Sequence, residues 1–208
     1  ILAHCVWMQE SELQLMEKTK AAVAHCPVSN LKLASGIAPI QEMHQHGIVV
    51  GIGTDGVKEN NNLDMLEEMK FVPLLQKVKH YDATLLKAEK VIRMATIDGA
   101  KALGLDREIG SIEIGKKADI ITVDFRKLHL TPILTDSYAN ITSNLVYAAQ
   151  GNDVQNVWID GKLIMENRKL LTIDEEKARV GGQIAAEQLL ARREAFIPKE
   201  YQFQGEKL

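Results

Sequence analysis

Three short apolar runs set the terms for any fold of this chain: "ILAHC" at 1–5, "AAVAHC" at 21–26 and "IVVGIG" at 48–53. None alternates apolar with polar residues, so each reads as a strand covered on both faces, as in a parallel sheet. Between the first two, "QESELQLMEKTK" carries Leu13, Leu15 and Met16 at helical spacing, with Ser11 in the N-cap position. The stretch "SNLKLASG" reads as a loop, "IAPIQEMHQHG" as a helix ending at Gly47, and a longer helix runs from about Leu63 to Lys79. Strand, helix, strand, helix, strand, helix is the rhythm of an α/β barrel or a doubly wound sheet.

The texture changes near residue 108. A helical pair over 84–104 closes on Gly104; turns at Gly110 and Gly115 precede a β-rich run, Ile120–Val123. Asp160-Gly161 between two apolar stretches of 154–171 marks a hairpin. The segment 143–151 reads as helix ending at Gly151, 174–194 as a charged helix, and 197–208 as a loosely held tail.

Each of the three runs leads to a residue able to do chemistry: His4, His25 and, just past the third, Asp55. A Cys2His2 zinc site from His4, Cys5, His25 and Cys26 is disfavoured, because adjacent strand residues point to opposite faces and the usual ligand spacing is missing. The arrangement instead puts His4 and His25 at strand C-termini facing a barrel mouth, with both cysteines packed towards the helices. Asp55, between Thr54 and Gly56, reads either as a turn or helix-cap residue or as a carboxylate holding a cation. His44 and His46, two apart on a helix, face different ways and are expected in solvent; His80 and His129 have no strand-end placement.

Composition narrows the class. A net charge of -3 and a pI near 6.1 leave no electrostatic footprint for nucleic acid. No apolar run approaches the roughly 18 residues of a membrane span. Two cysteines make no disulfide framework, which points to a reducing, cytoplasmic setting. The chain opens on "ILAHC" with no initiator Met, as if inside a strand, and is therefore expected to be a piece of a longer protein.

The segments "LAHCVWM", "AHCPVSNLKLASGIAP", "GIGTDGVKENNNLDMLEEMKFVPLLQK", "ATIDGAKALGL" and "GSIEIGKKADIITVDF" together resemble the C-terminal half of the amidohydrolase superfamily. The branch is that of 5-methylthioadenosine/S-adenosylhomocysteine deaminases, triazine hydrolases and guanine deaminases. The resemblance implies strands 6–8 of a TIM-type (β/α)8 barrel over 1–108. It implies small β-sandwich strands over 109–172, with a helix at about 137–150 packing on the barrel, and a C-terminal helix and tail over 173–208. It also implies one divalent metal, zinc or alternatively iron, bound by Asp55 as ligand and proton shuttle. His4 would polarise the attacking water. His25, Asn30, Glu59 and Asn60 would lie at the substrate pocket.

The implied activity is hydrolytic deamination of a purine-type substrate such as 5-methylthioadenosine or S-adenosylhomocysteine, by attack of metal-bound hydroxide. Guanine, a triazine or another N-heterocycle is the alternative. The family's HxH pair on strand 1, its His on strand 5 and the Glu three residues later have no counterpart here. The chain alone is therefore expected to be catalytically incomplete, needing the N-terminal half of the same protein as partner, with a homo-oligomer as a further expectation. Many relatives read "GTDGAASNN" where this chain has "GTDGVKENN", so Lys58 and Glu59 leave the exact substrate open.

Overall fold

The computed structural model describes residues 1–196; the expected loose tail at 197–208 lies outside them. In chain order the first part contains β1 (Leu2–Ala3), α1 (Glu10–Thr19), β2 (Val23–His25), α2 (Pro27–Lys32), α3 (Ile40–Gln45), β3 (Val50–Ile52), α4 (Val57–Asn60), α5 (Met65–His80), α6 (Ala88–Ala95) and α7 (Ile97–Leu103). There follow β4 (Ile120–Val123), α8 (Ile141–Tyr147), β5 (Val154–Ile159), β6 (Lys162–Glu166), β7 (Lys169–Leu170) and α9 (Glu175–Phe196).

The three expected strands pair in parallel in the order β1-β2-β3, with Leu2 opposite Val23 and Val23 opposite Val50. That order steps round without reversing, as strands of a barrel do and as either half of a doubly wound sheet does. The ladder runs past the formal strands: the His4 N–H donates to the Ala24 carbonyl, and the Gly53 N–H to that of His25, each at 2.9 Å. Val23 and Val50 are buried against Ile40 and Met43 of α3, Met69 and Val72 of α5, and Val91 and Met94 of α6. Of the apolar spacing that marks α5, Leu66 and Met69 lie in this core, whereas Leu63 and Leu74 are exposed.

β3 meets α7 at unusually short range. A Cβ placed on Gly51 would lie 2.9 Å from the Gly99 Cα, a backbone atom that cannot turn aside. Gly51→Ala is therefore expected to destabilise the protein by about 1–3 kcal/mol through overpacking. A thermal melt unchanged by that substitution would contradict the close approach.

The second sheet is antiparallel, ordered β4-β5-β6-β7. Its central hairpin turns on Asp160 (φ 49°) and Gly161 (φ 74°), both left-handed, as a two-residue type I′ loop demands. α8 packs on α5 and α6, and the Lys77 ammonium donates to the Tyr147 hydroxyl at 2.7 Å. None of the described helices is long and apolar enough to cross a membrane.

Several local expectations are corrected. α1 starts at Glu10, so Ser11 lies inside it; Gln9 is the N-cap residue, and its N–H donates to the Glu12 carboxylate at 2.7 Å. The loop expected over 29–36 begins as the end of α2, seeded by Pro27 in its first turn. The helix expected over 137–150 is shorter, with a 3-10 turn at Asp136–Tyr138 ahead of it, and it ends at Tyr147 rather than at Gly151. His44 and His46 are not free in solvent. His44 stands four residues after the fully buried Ile40, on the face that α3 turns inward, and burial lowers its pKa to about 4. His46 faces away, held by Glu10 at 3.2 Å and Glu17 at 3.0 Å.

Candidate active site

β1 and β3 end close together at one edge of the parallel sheet, each on a residue with an unusual backbone. His4 has φ 62° and Asp55 φ 61°, both in the left-handed region that non-glycine residues seldom enter. Such conformations cost about 1–2 kcal/mol each and persist where the surroundings fix them. They turn the two side chains towards one another: His4 Nε2 lies 3.7 Å from Asp55 Oδ2.

α2, between them in the sheet order, supplies the supports. The Ser29 hydroxyl donates to Asp55 Oδ2 at 2.6 Å, and the Gly56 N–H donates to Oδ1 at 2.8 Å. The Ser29 hydroxyl first, then the Gly56 N–H, hold the Asp55 carboxyl below the usual carboxylate range against the opposing effect of burial. Asn30 Oδ1 lies 2.9 Å from His4 Nδ1. A carbonyl oxygen only accepts, so Nδ1 carries the hydrogen and Nε2 presents its lone pair to Asp55.

An imidazole lone pair and a carboxylate oxygen thus face one another beyond direct hydrogen-bond distance, with no hydrogen of their own to share. This arrangement attracts a cation, or a water donating to both. As donors, one carboxylate oxygen and one imidazole nitrogen suit a zinc-type ion, but they form only part of a donor set. Among the described residues no group of three or more His, Cys, Asp or Glu is placed to hold a metal.

The other expected residues fall around this pair. His25 ends β2, 1% exposed, with both ring nitrogens buried and unpartnered among the described residues. Burial first, then His4 and His44, lower its pKa to about 3, so it is a neutral imidazole. Asn30 is buried and acts on His4. Asn60 is buried too, and its amide nitrogen donates to the Thr54 carbonyl and to Glu68, each at 2.6 Å. Glu59 folds back over Gly56, where a Cβ would come 2.5 Å from its carboxylate oxygen. Lys32 pins the same loop by donating to the Lys58 carbonyl at 2.7 Å and to Asn61. Cys26 packs against Gly53, and burial, with Asp55 and Glu68 nearby, pushes its thiol up to about 11.

Two participants escaped the sequence reading. Ser29 sat in what looked like a polar loop. Glu68 drew no reading within the long helix, yet it is fully buried, and burial raises its carboxyl pKa to about 7. Its position four residues before Val72, on the inward face of α5, was the available signal.

A parallel sheet laid down in sequence order, with chemistry collected at its strands' C-terminal ends, is the arrangement of a TIM-type barrel segment. The chain belongs to the amidohydrolase family, whose model matches residues 1–164. It is 46% identical over 195 residues to a 5'-deoxyadenosine deaminase of Methanosarcina acetivorans, covering 94% of this chain and 44% of that protein. It is 47% identical over 192 residues to a 5-methylthioadenosine/S-adenosylhomocysteine deaminase of Pelotomaculum thermopropionicum, covering 92% and 43%. Among solved structures, an adenosine deaminase from Xanthomonas campestris with bound zinc superposes at a TM-score of 0.85 and 37% identity, over 91% of this chain and 42% of that one. The chain thus spans less than half the length of the relatives it matches.

Proposed function

We propose that this chain is the Asp55- and His4-bearing part of a metal-dependent deaminase that hydrolyses the exocyclic amino group of an adenine nucleoside. The candidate substrates are 5'-deoxyadenosine, 5-methylthioadenosine and S-adenosylhomocysteine, the compounds named in its relatives. The observation that carries the reading is the convergence of Asp55 Oδ2 and His4 Nε2 at 3.7 Å across the strand ends. The share of its relatives that the chain spans supports a longer working polypeptide, in which an N-terminal half completes the barrel and the metal's donor set.

Asp55 would hold a divalent ion, zinc by analogy with the zinc-bound neighbour, and that ion lowers the pKa of a water towards neutrality. The chain's own groups then do the following. Asp55, kept ionised by Ser29 and Gly56, accepts a proton from the attacking water and returns it to the departing amino group, which leaves as ammonia. The His4 Nε2 lone pair orients that water by accepting its hydrogen. Asn30 keeps the His4 ring in the tautomer this needs. Glu59 and Lys58, on the loop beside Asp55, border the entering substrate.

Ammonia release from the complete polypeptide with the three adenine nucleosides and guanine, and chloride release with a chlorinated triazine, test the reading. Turnover of the adenine nucleosides is expected to exceed that of the others; turnover of the triazine alone would overturn it.

A further inference from the structure

One side chain that touches neither Asp55 nor His4 reaches the supports of both. Glu68, on α5, accepts at Oε2 from the Val28 N–H at 3.1 Å and at Oε1 from the Asn60 amide at 2.6 Å. The Asn60 amide nitrogen also donates to the Thr54 carbonyl, one residue before Asp55. Val28 is followed directly by Ser29, which holds Asp55 Oδ2, and by Asn30, which holds His4 Nδ1. A single fully buried carboxylate thus ties the first turn of α2 to the segment leading into Asp55.

The donor pattern is what demands a carboxylate here. The Val28 N–H can only donate. Turning the Asn60 amide over would point its oxygen at the Thr54 carbonyl, so its nitrogen is fixed towards Glu68. In the ionised form both Glu68 oxygens therefore accept, which opposes the effect of burial on that group. Glutamine has nearly the same shape, but it would set its NH2 against one of these two donors, leaving a buried polar clash.

We propose that Glu68 is a positioning residue for the deamination, setting Asp55 against His4 through Asn60–Thr54 on one side and Val28–Ser29 on the other. The proposal rests on the deaminase reading for its kinetic consequence and on the hydrogen-bond network alone for its structural one. The two can therefore fail separately.

The experiment compares Glu68→Gln, Ser29→Ala and the double variant in the complete polypeptide, using 5'-deoxyadenosine as substrate. Glu68→Gln is expected to lower kcat on the order of 10²-fold while KM stays within about threefold, as expected for a misplacement of up to about an ångström at the reacting groups. Because both residues act through one chain of contacts, the double variant should be no worse than about twofold below Glu68→Gln. A wild-type kcat in Glu68→Gln, or a double variant showing the product of the single losses, would overturn the proposal. Should Glu68→Gln not fold, Asn60→Ala removes one arm of the tie; it is expected to lower kcat about tenfold, and an unchanged kcat would overturn the proposal. Crystal structures give a readout independent of turnover. If no substrate is deaminated, the deaminase reading fails, and the positioning claim is then judged on whether the Ser29–Asp55 hydrogen bond breaks in the Glu68 or the Asn60 variant. A bond kept at its wild-type length overturns it.

Discussion

Asp55→Asn in the complete polypeptide is expected to lose deaminase turnover by on the order of 10⁴-fold while melting close to the wild type. The expectation follows from how the residue is held. Its side chain is 27% exposed and supported by the Ser29 hydroxyl and the Gly56 N–H. Asparagine keeps an oxygen for one of those donors and tolerates a φ of 61°, since Asn and Asp are enriched in the left-handed region. What it loses is the negative charge and the capacity to take a proton. Asp55→Ala should be equally inactive and additionally less stable by about 1 kcal/mol, because alanine gains nothing locally in that conformation. Turnover within tenfold of the wild type in Asp55→Asn would remove Asp55 from the chemistry. Zinc per chain, measured alongside, is expected to fall in both variants.

Acidification from pH 7 to pH 5 should weaken the fold. His25 and His44 are held neutral by burial, with pKa values lowered to about 3 and about 4 from an ordinary 6.5. Unfolding frees both to take protons, so their contribution is intact above pH 6.5 and drains away as pH falls below it. Between pH 7 and pH 5 each should cost about 2 kcal/mol. Glu68 works in the opposite sense. Its pKa is raised to about 7, so the folded state holds that proton more tightly than the unfolded chain does, and acidification over the same window returns about 2 kcal/mol. The net expectation is a loss of about 2 kcal/mol from pH 7 to pH 5 in urea unfolding. Replacing His25 with Gln should remove most of it. Equal stability at the two pH values, or a loss that survives His25→Gln, would contradict the burial argument.

How much of this could be read beforehand differs by element. The parallel strands were legible because unbroken apolar runs have few alternatives, and the hairpin because Asp160-Gly161 fits a turn with two positive φ values. The convergence of His4 and Asp55 followed from strand-end placement. What escaped notice was which polar residues face inward. Charge alone does not tell Glu67 from Glu68, and His44 and His46, though turned different ways, were both expected in solvent. The helical phase set by Ile40 and Val72 marks His44 and Glu68 as the members turned inward. Ser29 was illegible for a different reason: its role exists only once α2 brings it beside a residue 26 positions away.

The order in which the strands lie side by side is also the order in which a ribosome would deliver them. Leu2 pairs with Val23 and Val23 with Val50, so successive partners are separated by only about 20 and about 30 residues. Closing loops of such similar length costs nearly the same entropy each time. Each strand can therefore dock on the one made just before it, with no waiting for distant sequence, and the sheet can grow by addition at its β3 side. Among the described residues both outer strands of this sheet, β1 and β3, keep an edge without a strand neighbour, and Ile1 and Leu2 at β1 are exposed. In the longer polypeptide proposed above, the remaining strands of a closed barrel would pair with both edges and so remove them as sites of strand-to-strand aggregation.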